Sequence, residues 1–100
     1  MDIENGSGIL QKGSIVARII DESAGLKVIS DVRAVRIHSK GYVLLIMDDY
    51  APTLGEVEGD VSLLSGDDEI VFRGIKGCYK QQNNIFTMII EERMATGDNE

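Results

Sequence analysis

Clusters of turn-forming residues cut this chain into apolar, β-branched segments about ten residues apart, and no segment sustains the 3.6-residue apolar period of a helix. That spacing belongs to successive hairpins. It predicts an all-β domain, a small antiparallel β-sandwich of about eight to ten short strands. Ser14 to Ile20 and Leu26 to Ile29 flank Asp21-Glu22-Ser23-Ala24-Gly25, a first hairpin. Val32 to His38 then leads through Ser39-Lys40-Gly41 into Tyr42 to Met47, which is apolar at every position. Such a strand is covered on both sides, or on one side by its own fold and on the other by a partner. Asp48-Asp49-Tyr50-Ala51-Pro52 breaks the pattern, since Pro52 has no N–H to give to a ladder. After a crossover at Thr53 to Val57, Val61 to Leu64 and Ile70 to Arg73 flank Ser65-Gly66-Asp67-Asp68-Glu69, a second hairpin. Ile75 to Lys80 and Ile85 to Ile90, around Gln81-Gln82-Asn83-Asn84, form the third. Only Pro52 to Val57 and Glu91 to Glu100 leave room for short helix.

The domain limits follow from the same pattern. Residues 1–13 read as a flexible tail, 14–92 as the sandwich and 93–100, polar throughout, as a disordered tail. One hundred residues hold one domain, and its stability margin is thin. With 10 Lys and Arg against 17 Asp and Glu, the net charge of −7 repels a phosphate backbone and an anionic membrane. The basic residues Arg33, Arg36, His38 and Lys40 read as a solvated strand face. A single cysteine, Cys78, rules out an internal disulfide, and one histidine beside it is too little for a structural zinc site. The expected location is cytoplasmic: the start of the sequence lacks a signal-peptide pattern, and the apolar run Tyr42 to Met47 is far too short to cross a bilayer as a helix.

No phosphate-binding glycine loop, nucleophile elbow or paired-histidine metal motif is present. His38 lies mid-strand without a neighbouring Ser or Cys, and Cys78 between Gly77 and Tyr79 reads as a buried, inert thiol. Asp48-Asp49 and Asp67-Asp68-Glu69 lack the alternating ligand spacing of a calcium loop. The expectation is a chain that is not an enzyme and holds no cofactor and no metal.

The stretch Ile46-Met47-Asp48-Asp49-Tyr50-Ala51-Pro52-Thr53-Leu54 resembles the Ile-Leu-Pro-Gly-His-Ala-Pro-Leu-Leu segment of the N-terminal domain of the rotary ATP synthase epsilon subunit. Ala51, Pro52 and Leu54 match, and Asp48, Asp49 and Tyr50 replace Pro, Gly and His. Downstream, Glu58-Gly59-Asp60-Val61, Ile75-Lys76-Gly77-Cys78-Tyr79 and Asn83 to Ile89 are similar to later family segments in the same order. The likeness runs from about Ser14 to Glu92. Tyr42 and Leu45 stand where the family carries a Gly-x-x-Gly, and the family's C-terminal helical hairpin is lacking, so nucleotide binding and ATPase inhibition are not carried over. The resemblance implies a β-sandwich that docks to a protein partner, as the family domain docks to the rotor shaft and ring.

These readings converge on a non-catalytic protein-interaction domain, either a shortened rotor subunit or a family offshoot with another role. Tyr42, Leu44, Ile46, Tyr50, Pro52 and Leu54 are the candidate partner-binding residues. The expected partners are a protein, rotor subunits included, or a second copy meeting through exposed strand edges. The alternative is a small ligand- or metal-binding β-barrel that uses the acidic loops.

Overall fold

Each tight reversal of the chain falls on residues that accept a positive φ: Gly25 (85°), Gly41 (94°), Gly66 (63°) and the pair Asn83 and Asn84 (53° and 59°). The structure, a computed structural model, describes residues 13–94. Between those reversals lie six strands: β1 (Ile15–Asp21), β2 (Gly25–Ser39), β3 (Tyr42–Met47), β4 (Thr53–Ser65), β5 (Asp68–Gln82) and β6 (Ile85–Arg93). All three expected hairpins form, as β1–β2, β4–β5 and β5–β6, and β2–β3 adds a fourth. Thr53 to Val57, expected as a crossover with room for helix, is the first half of β4. Residues 1–12 and 95–100 of the two expected tails lie outside the described residues. Arg93 ends β6, and the Met94 amide donates to the Gly74 carbonyl at 2.6 Å.

The all-β class holds, but the sheet does not divide into the two layers of a sandwich. β1, β6, β5, β4 and β2 are neighbours in that order, and β1 also pairs with β2, so five strands close into a barrel. The closing contact is parallel: Val16 stands beside Ile85, and the register runs to Asp21 beside Ile90. A hairpin ladder alone cannot supply that contact, because it joins strands from opposite ends of the described chain. The strands are also fewer and longer than expected, with β2 and β5 at 15 residues each. They bend at bulges. β2 shifts register around Asp31, which sits at φ 57°, β4 and β5 shift after Gly59, and β5 and β6 shift at Lys76 and Gly77. A bulge adds a residue on one side and sharpens the twist, which lets a long strand wrap a small barrel.

The interior is aliphatic. Ile15, Ala17 and Ile19 of β1 meet Val32, Val35 and Ile37 of β2, Val57, Val61 and Leu63 of β4, and Ile75 of β5. Phe86, Met88 and Ile90 alternate inward along β6. Phe86 stacks on Tyr79 with ring centroids 5.7 Å apart. Gln81 is the one fully buried residue of polar type among these positions. Asp21, at the end of β1, accepts hydrogen bonds from the Ser23 amide at 2.9 Å and hydroxyl at 2.8 Å. Its other oxygen accepts from Arg93 of β6 at 2.6 Å, so one carboxylate ties both strands of the parallel closure.

Candidate interaction surface

β3 stands outside the ring. It pairs with the second half of β2, from Ala34 opposite Met47 to Ser39 opposite Tyr42, and its other edge has no strand partner among the described residues. Two anchors hold it. At its start the Tyr42 hydroxyl donates to the Glu56 carbonyl, leaving the Tyr79 hydroxyl, 3.0 Å away, to donate to Tyr42. Burial pushes the Tyr79 phenol above its ordinary range, and the bond to Tyr42 adds to the shift. Beyond its end, the Asp49 amide donates to Asn84 Oδ1 at 2.8 Å, and Asn84 Nδ2 returns a bond to Asp49 Oδ1 at 3.0 Å.

Alternation along β3 separates the residues that the sequence had grouped. Ile46 is fully enclosed in the core, so it presents no contact surface, and Leu44 is half-buried against the core. Tyr42 is partly exposed but committed to its hydrogen bonds. Tyr50 and Pro52 are exposed on the loop, and Leu54, at 76% exposure, is the most open large apolar side chain described. Val43 (64%), Leu45 (45%) and Met47 (52%) form the outward row of β3. Sequence reasoning took the opposite parity. The signal was present next door: Leu45 stands opposite Arg36 and Val43 opposite His38, so the basic side chains of β2 mark which face of β3 meets solvent. The reading of β3 as a strand covered on both sides fails for the same reason, since only Ile46 among its six residues is buried.

A second apolar row crosses the outside of the barrel. Leu26, Ile20, Ile89 and Cys78 are lateral neighbours across four strands. Beyond them Leu54 and Tyr79 border a shallow cleft of about 630 Å³. Cys78 is half-buried on this outer face, more open than the inert core thiol expected. His38 lies elsewhere, in a smaller groove with Arg36, Asp60, Glu69 and Arg73. The basic residues of β2 are thus solvated, as expected, and mixed with acids: Arg73 approaches Asp60 at 3.9 Å, and Arg33 donates to the Gly66 carbonyl. Among the described residues, no group of three or more His, Cys, Asp or Glu side chains is placed to hold a metal ion. No described helix is long and apolar enough to cross a membrane.

No family model and no curated protein matches this sequence.

Proposed function

We propose that this chain is a non-catalytic, cytoplasmic interaction domain that binds another protein through apolar strand surface. One observation carries the reading: a pinned edge strand, its outer backbone groups unpaired among the described residues, displays Val43, Leu45 and Met47 to solvent. Exposed single apolar residues are ordinary, but a contiguous row on an unpaired edge offers both a ladder and an apolar strip. The short motif around Ala51-Pro52 is similar to the epsilon-subunit segment and supplies one class of partner, the shaft and ring of a rotary ATP synthase.

The test is capture from the source cells with the full chain as bait, beside the Leu45→Lys and Leu54→Asp variants. Both side chains are exposed, so each variant should melt as the parent does. Proteins retained by the parent and lost by a variant support the reading, and recovery of shaft and ring subunits favours the rotor role. Identical recovery by all three baits, or recovery of nothing by a chain that is also monomeric, overturns it.

A further inference from the structure

We infer that the partner of β3 is β3 of a second copy, paired antiparallel about a two-fold axis through Leu44. The inference rests on the interaction reading above and names its occupant.

Three observations lead there. First, among the described residues β3 carries none of the devices that keep an edge from pairing. Its six residues include no charge and no proline, and its register against β2 runs without a bulge. Second, its two ends carry opposite charge. Exposed Lys40 lies just before the strand and exposed Asp48 just after it. Antiparallel self-pairing sets each Lys40 beside the other copy's Asp48, whereas parallel pairing sets like against like. Third, parity selects the register. Facing residues share a face only when odd numbers meet odd and even meet even. The register that places Lys40 opposite Asp48 meets this condition and sets Val43 opposite Leu45 of the other copy, twice. Both exposed rows then join into one apolar strip. The anchors at Tyr42 and Asn84 hold the strand in place beforehand, so little ordering accompanies association. The contact is isologous and uses up the free edge of β3 in each copy, so it closes at a dimer. A six-residue edge belongs to the small interface class, so the dimer is weak and reversible.

Sedimentation velocity of the full chain over a concentration series tests this. The expected result is a monomer–dimer equilibrium that Leu45→Lys abolishes. Lys40→Asp and Asp48→Lys each weaken the dimer about tenfold, because each converts two facing pairs from opposite to like charge. The Lys40→Asp, Asp48→Lys double variant returns it to the parental value. Asp48→Lys is the decisive arm. It makes the net charge of −7 less negative, so overall repulsion alone predicts tighter association, whereas the register predicts weaker. A monomer at every concentration up to about 1 mM overturns the inference. So does a dimer indifferent to the two charge swaps, or one that the double variant does not restore. If the chain is monomeric while cellular capture still depends on Leu45 or Leu54, the second copy is ruled out and the interaction reading stands. If both experiments fail, the interaction reading falls too.

Discussion

Gln81 is the least comfortable side chain in the barrel. Its amide nitrogen and oxygen are both buried without a hydrogen-bond partner among the described residues, between strands that present Thr53 and Phe86. Leaving a buried polar group unmatched costs about 1–3 kcal/mol. Gln81→Met keeps the length and removes the polar atoms, so it should raise stability by about that amount, read as a higher urea midpoint at unchanged m-value. A lower midpoint would mean that the amide contributes a contact worth more than its burial costs. Asp21 shows the opposite case, a buried polar group with its bonds made. The Ser23 amide, the Arg93 side chain and the Ser23 hydroxyl hold its pKa at about 2, below the ordinary 3.8. A lowered folded-state pKa gives stability that is complete above the unfolded value and disappears as pH falls through the folded one. Stability should therefore drop between about pH 4 and pH 2 on this account. Asp21→Asn should be less stable at neutral pH and lose less on acidification, as denaturant titrations at pH 7 and pH 2 would show. An equal loss in both proteins would assign the acid sensitivity to other carboxylates.

At the scale of the strand, glycine decides where a ladder bends. A Cβ added at Gly77 would lie 2.0 Å from the Ile89 carbonyl oxygen, a backbone atom that cannot swing aside. Gly77→Ala should therefore cost about 1–3 kcal/mol or more, through displacement of β6 at its bulge, in the same urea assay. A loss under about 0.5 kcal/mol would mean that the two strands slide apart freely there. The bulges also explain what the sequence did and did not disclose. Asn83-Asn84, Gly41 and Gly66 mark real reversals, and each was legible because φ > 0 is what those residues accept. Ser30-Asp31, Gly59 and Gly74 carry the same chemistry but serve as bends inside continuous strands. They made β2 and β5 each look like two short strands and made the first half of β4 look like a crossover. Local composition cannot distinguish a turn from a bulge, because the difference lies in whether the neighbouring strand continues. Ser65 illustrates this, with a hydroxyl 3.2 Å from the Ser30 carbonyl and 3.3 Å from that of Asp31, across the bend in β2. The candidate surface was legible as to strand and loop but not as to face, since β3 has no polar residue to show its own parity.

For the molecule as a whole, the decisive contact is the one most distant in sequence. β1 and β6 close the barrel side by side, and no local signal announced it. A small domain has about 5–15 kcal/mol in hand. Phe86, fully buried and stacked on Tyr79, carries a large share of the interior beside that closure. Phe86→Ala should remove about 3–5 kcal/mol, measured by urea unfolding, and leave the barrel near its limit. A loss below about 1 kcal/mol would show that the interior collapses into the space with ease. The parallel closure has one more consequence. Because β1 and β6 run the same way, Gly13 and Met94 emerge at opposite ends of the barrel. Tension applied between those two points acts along the strands and in opposite senses. The pairs from Val16–Ile85 to Asp21–Ile90, with the Asp21–Arg93 clasp, then bear the force together in shear instead of unzipping one by one. Strung between two tethers, this small barrel would hold as a mechanical unit and give way in a single rupture, at a rate set by its unfolding barrier.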